Sequence, residues 1–142
     1  MDTSALVKLY VEESHRALVL DWVHRSEVVA TSRVAYPESC SAFARRRREG
    51  DISDEVYTQA MHVLASDFAQ LFVVELSPAL AHAAGELTAL HPLRGFDAIH
   101  LASAHALSHL VGDKPNFLAF DRRLNQCAQD AGLPVVREPP PC

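Results

Sequence analysis

Apolar residues along this chain fall into runs of two kinds. Val28–Thr31 (VVAT), Leu71–Leu76 (LFVVEL), Asn116–Phe120 (NFLAF) and Leu133–Val136 (LPVV) are short, rich in β-branched residues or phenylalanine, and without alternation of polar positions. That pattern predicts strands covered on both faces, as in a parallel sheet. The runs between them are longer and helical. Ser14–Arg25 brings Ala17, Leu18, Trp22 and Val23 near helical spacing, and Val34–Glu49, Ser53–Ala69, the stretch from Ser77, Phe96–Val111 and Arg122–Ala131 follow. Their ends carry the expected signals: Ser53 and Ser77 as caps, Pro78 at a first helical position, Gly50 and Gly132 as stops. Strands separated by helices predict a three-layer α/β/α domain around a central parallel sheet. It is expected over residues 1–136, with a Pro-rich tail at 137–142.

Composition narrows the picture. The chain has 142 residues, enough for one domain with a proper core, with 49% hydrophobic and 22% charged residues. Its net charge of −5 argues against a protein that coats DNA through many exposed cations. Cys40, Cys127 and Cys142 form no CxxC pair, which predicts a reducing cytoplasmic setting rather than a disulfide framework. The longest uncharged run, Ala98–Gly112, holds three histidines and is too short to span a bilayer, so no membrane association is expected.

One helix raises a chemical question. In RGFDAIHLASAHAL, Asp97 is the only acid before Asp113. An acid in a first helical turn is favourable in itself, because unpaired N–H groups and the helix dipole meet it there. A second reading needs other acids that converge on it. In parallel α/β sheets, ligands sit beyond the carboxyl ends of the strands. Asp2 precedes TSALVKLY, Asp121 directly follows NFLAF, and Glu38 lies early in the helix after VVAT. With Asp97 they can share one crevice. Clustered carboxylates repel and raise each other's pKa, and a hard divalent cation, Mg²⁺ or Mn²⁺, offsets that repulsion.

MDTSALVKLYVEE, SRVAYPES, RGFDAIHLASA and LAFDRRL, in this order, resemble the four acidic motifs of PIN-domain ribonucleases, most closely the VapC-like toxins of bacterial toxin–antitoxin pairs. The resemblance runs from Asp2 to Val136. It implies that Asp2, Glu38, Asp97 and Asp121 form a metal-binding quartet and that the protein is a Mg²⁺- or Mn²⁺-dependent endoribonuclease. It also implies RNA as the substrate, a homodimer and a cognate antitoxin. Within the quartet, Asp2 and Asp97 are assigned as direct ligands, Asp121 as completing the shell, and Glu38 as holding a second ion or orienting water. Thr3 and Ser4 would support the acids by hydrogen bonds. Members usually open with a short apolar strand before the first acid. Here only Met1 precedes Asp2, so the first, central strand is expected to be largely missing.

Other residues have two readings each. His100, three residues after Asp97, either reaches the metal site or is a buried histidine bonded to Asp97 or to backbone. His105 and His109 have zinc spacing but lack further ligands. Arg45 and Arg46, in the run Arg45–Arg48, are either a solvated helix end or a contact for RNA or the antitoxin. Arg122 and Arg123 either position RNA or pair with structural carboxylates. Trp22, Tyr36 and the phenylalanines read as core. Two other functions stay open at this stage: a non-catalytic PIN-like binding module, and a phospho-acceptor receiver domain. The latter would want paired acids at the first strand and a lysine at the last, and LPVVRE has no lysine.

Overall fold

The computed structural model describes residues 1–136; the predicted tail at 137–142, with Cys142, lies outside the described residues. The chain begins in the middle of the sheet. The Met1 ammonium donates to the Ala30 carbonyl at 2.7 Å, and the Asp2 N–H donates to the Leu118 carbonyl at 3.0 Å. Met1 and Asp2 therefore lie between β1 (Ala30–Ser32) and the segment at 117–118. On its other side β1 pairs in parallel with β2 (Phe72–Val74), with Ala30 opposite Phe72 and Ser32 opposite Val74. Phe117 forms a parallel bridge with Val135. The order across the sheet is thus β2, β1, Met1–Asp2, 117–118, 135–136.

This corrects the strand expectations. The predicted strand Val28–Thr31 is Ala30–Ser32, with Val28 65% exposed, and Leu71–Leu76 shrinks to Phe72–Val74. Asn116–Phe120 and Leu133–Val136 share a single bridge instead of a ladder. That bridge is made by the Phe117 N–H to the Pro134 carbonyl at 2.7 Å and the Val136 N–H to the Phe117 carbonyl at 2.9 Å. The buried pattern of a doubly covered sheet survives nonetheless. Phe117 packs with Leu101 and Leu124, whereas Leu118 packs with Ala5 and Val19. Neighbouring residues on opposite faces are the signature of extended backbone.

The helices cover those faces. Directly after Asp2, and unforeseen, come a short α1 (Thr3–Leu6) and a 3₁₀ turn (Val7–Leu9). Then follow α2 (Arg16–Arg25), α3 (Ala35–Glu49) and α4 (Asp54–Phe68). After β2 come α5 (Pro78–Leu90), α6 (Gly95–Val111) and α7 (Arg122–Asp130). The predicted caps hold: Ser53 Oγ accepts from the Val56 N–H at 3.2 Å and Ser77 Oγ from the Leu80 N–H at 3.1 Å. Gly50 ends α3 at φ +80°, a conformation that costs a residue with a Cβ more than glycine. Pro37 sits in the first turn of α3, where the missing N–H would have had no partner in the helix. The small residues of α6 have a packing reason, since Ala98 and Ala102 meet Leu80 and Ala84 of α5. Cys127, on the buried face of α7 and 3% exposed, packs with Leu101 and Leu124, and burial pushes its thiol pKa up.

Candidate active site

The four acids arrive on four local structures. Asp2 is the N-cap of α1. Its Oδ1 accepts from the Ala5 N–H at 3.0 Å, and the Ser4 hydroxyl donates to both carboxylate oxygens, at 2.8 and 3.0 Å. The Ser4 oxygen in turn accepts the Phe120 N–H at 2.8 Å, which ties Asp2 to the segment that leads to Asp121. Asp2 is 5% exposed, and burial pushes its carboxyl up against the pull of the Ser4 and Ala5 hydrogen bonds.

Glu38 extends from the first turn of α3. Its Oε2 accepts from the Thr3 hydroxyl at 2.6 Å and lies 2.7 Å from His100 Nε2. Burial by itself would push the Glu38 carboxyl up, but the hydrogen bonds from His100 and Thr3 outweigh it and hold the pKa below its ordinary value.

Asp97 occupies the third position of α6, whose N-cap is Arg94. Its carboxylate reaches back to the Arg94 backbone N–H. The capping explanation of this acid is therefore part of the truth. Burial and then the negative charge of Asp121 raise its pKa, so the two acids sense each other. Asp121, exposed, caps α7 by accepting from the Leu124 N–H at 2.8 Å.

All four carboxylates line one open pocket of about 710 Å³, together with Thr3, Ser4 and His100. Among the described residues, no three histidine, cysteine, aspartate or glutamate side chains already converge tightly enough to hold an ion. The chemistry of the donor set still suits a hard divalent cation: carboxylate oxygens from four directions, with Asp97 and Asp121 in mutual repulsion.

The remaining candidates separate. Arg45 and Arg46 line the pocket, and Arg46 is paired with Glu13, which also accepts from Lys8 Nζ at 3.1 Å. Arg122 and Arg123 are exposed at the start of α7 and do not line the pocket. His100 bonds Glu38 and Thr3 rather than Asp97 or backbone among the described residues. Burial, and then the nearness of His109, His91 and Lys114, lowers the pKa of His105. Lys8, Glu13, Arg94 and Phe96 also line the pocket and were not anticipated. Phe96, read from sequence as core, is 56% exposed at the rim. The signal was available, since it directly precedes Asp97 in a helical first turn whose next buried position is Ala98.

Comparison with known proteins identifies the family. The model of the PIN domain matches residues 1–129. Ribonuclease VapC45 of Mycobacterium tuberculosis (strain CDC 1551 / Oshkosh) is 37% identical over 136 residues, 95% of this chain and 92% of that protein. Ribonuclease VapC49 of Mycobacterium tuberculosis (strain ATCC 25618 / H37Rv) gives the same figures. Among solved structures, Mycobacterium tuberculosis VapC20, a sarcin-ricin loop cleaving toxin, superposes with a TM-score of 0.68 at 22% identity, covering 96% of this chain and 97% of that one. With this match over nearly its whole length, the chain belongs to the PIN domain family, in the company of the VapC ribonucleases.

Proposed function

We propose that the protein is an endoribonuclease toxin that hydrolyses RNA phosphodiester bonds with the help of Mg²⁺ or Mn²⁺. The observation that carries this reading is the meeting of Asp2, Glu38, Asp97 and Asp121, from four distant stretches of chain, in one open pocket. Asp2, Asp97 and Asp121 would hold the cation, with Glu38 beside them. When bound, such an ion lowers the pKa of water and offsets charge on the phosphate. The chain's own residues do the rest. Ser4 and the Ala5 N–H fix the direction of Asp2, and Thr3 and His100 fix that of Glu38. Arg45 and Arg94 at the pocket wall suit phosphate oxygens on either side of the cleaved bond, and exposed Phe96 offers a face for a nucleobase.

The 37% identity to two ribonucleases supports RNA as the substrate class. Homodimerisation and neutralisation by a cognate antitoxin in the cytoplasm belong to the same reading. Among the described residues no helix is long and apolar enough to cross a membrane. The test is cleavage of single-stranded RNA by the purified chain with Mg²⁺ or Mn²⁺. Cleavage should stop with excess chelator and return with added metal. Undiminished cleavage in chelator would overturn the mechanism, and absence of cleavage under every metal condition would favour a binding module without turnover.

A further inference from the structure

His100 is 4% exposed and stands between two cavities. It lines the acid pocket, and it also lines a groove of about 630 Å³ that runs past Met1, Ser32 and Ser103. A buried histidine in a wall usually needs both ring nitrogens accounted for. Here Nε2 has two neighbours, Glu38 Oε2 at 2.7 Å and Thr3 Oγ1 at 3.1 Å. Nδ1 is buried and has no partner among the described residues.

These contacts determine where the protons are. The Thr3 hydroxyl has one hydrogen, and it goes to Glu38 Oε2 at 2.6 Å. The Thr3 oxygen can then only accept from His100. A carboxylate, too, only accepts. Both neighbours of Nε2 therefore require an N–H there. The hydrogen that meets these two oxygens therefore sits on Nε2.

We propose that His100 is a positioning residue: with Thr3 it clamps Oε2 of Glu38, fixing the carboxylate in one orientation toward the acid pocket before any metal arrives. Two donors converge on the same oxygen from different elements, α1 and α6, while Glu38 itself comes from α3. The clamp therefore also sets the distance between the starts of three helices around the pocket. Carboxylates that meet a metal are commonly held from behind in this way, and loss of such support weakens metal binding by about 10- to 100-fold. The inference rests on Glu38 being part of the metal-binding set.

Two measurements on the full chain test it. The first is a long-range ¹H–¹⁵N spectrum of the metal-free protein. It should show a hydrogen on His100 Nε2; a ring protonated on Nδ1 alone would overturn the clamp as drawn. The second is calorimetric titration with Mn²⁺ of the unchanged chain, His100→Gln and His100→Phe, alongside their thermal melts. Glutamine can present an amide N–H near the position of Nε2, whereas phenylalanine fills the space and cannot donate. His100→Gln should bind Mn²⁺ within about threefold of the unchanged chain, and His100→Phe about 10- to 100-fold more weakly. Mn²⁺ binding by His100→Phe equal to that of the unchanged chain would reduce His100 to packing, whatever its melting temperature. Failure of the unchanged chain to bind Mn²⁺ would instead overturn the metal-nuclease reading itself.

Discussion

The two sides of the acid pocket hold their carboxylates by different means. On one side, Asp2 and Glu38 are each fastened by side-chain hydroxyls, from Ser4 and Thr3, and Glu38 also by His100. On the other, Asp97 and Asp121 are fastened only by the first turns of α6 and α7, and Asp121 pushes the Asp97 carboxyl up. The first pair is held in place by hydrogen bonds, although burial still keeps the Asp2 carboxyl raised. The second carries the repulsion that a cation would relieve. One side therefore supplies rigidity and the other supplies the electrostatic demand, and substitutions on the two sides should separate stability from activity.

The largest effect should come from Asp97→Asn. Cleavage should fall at least about a hundredfold, the scale of losing one electrostatic stabiliser of a charged transition state, while the metal-free chain melts no lower. The sign follows from the raised pKa. An acid with a raised folded pKa is more protonated folded than unfolded, so stability falls as pH rises from its ordinary value of 3.8 through the folded value. It then stays lower at neutral pH. Asparagine removes that loss and can still accept from the Arg94 N–H. Because the pair is partly exposed, the gain should be under about 1 kcal/mol, and it should vanish when the melts are repeated below the ordinary carboxylate range. A variant that cleaves as well as the unchanged chain would leave Asp97 as a helix cap alone.

Next in size is Ser4→Ala, on the opposite side. It removes the bonds to Asp2 and leaves the Phe120 N–H without its acceptor. The expected cost is about 1–3 kcal/mol, read as a lower urea midpoint, with weaker Mn²⁺ binding. Unchanged stability would show that Asp2 is held by its helix cap alone, as Asp121 is. A smaller effect is expected at the rim: Phe96→Ala should raise KM for RNA by roughly tenfold, the scale of one base–aromatic contact, without moving kcat or the melting temperature. A purely kcat effect there would argue against stacking. Smallest of all, Arg122→Ala and Arg123→Ala should change stability by less than about 0.5 kcal/mol and leave cleavage intact, because neither side chain lines the pocket.

The helices were legible because their ends are written in local chemistry, as at Ser53, Ser77 and Gly50. The strands were legible as buried runs but not in length, since length depends on which backbone groups of a neighbouring segment, distant in sequence, come into register. α1 spans four residues, Thr3–Leu6, too few for any periodicity to register. The assembly of the acids followed from one rule about parallel sheets together with the family's motifs. The partner of His100 did not. Spacing along α6 suggested Asp97, but Asp97 turns back to its own helix start, and Glu38 reaches His100 from 62 residues away. Phe96 was misplaced because hydrophobicity was taken as burial, whereas its position opens onto the pocket.

The buried thiol of Cys127 makes a natural clock for one half of this site. It lies on the buried face of the helix that Asp121 caps, packed with Leu101 and Leu124, and a reagent can meet it only when that packing loosens. Alkylation kinetics at this sulfur therefore time the excursions of α7, and with them the moments when Asp121 is carried out of register. A cation shared between Asp121 and the other acids would close off those excursions. At a free Mn²⁺ concentration a hundredfold above its dissociation constant, labelling through that route should slow about a hundredfold. Cys40, on α3 and partly exposed, provides a second clock in the same tube, set against the half of the pocket whose acids are held by side-chain hydroxyls.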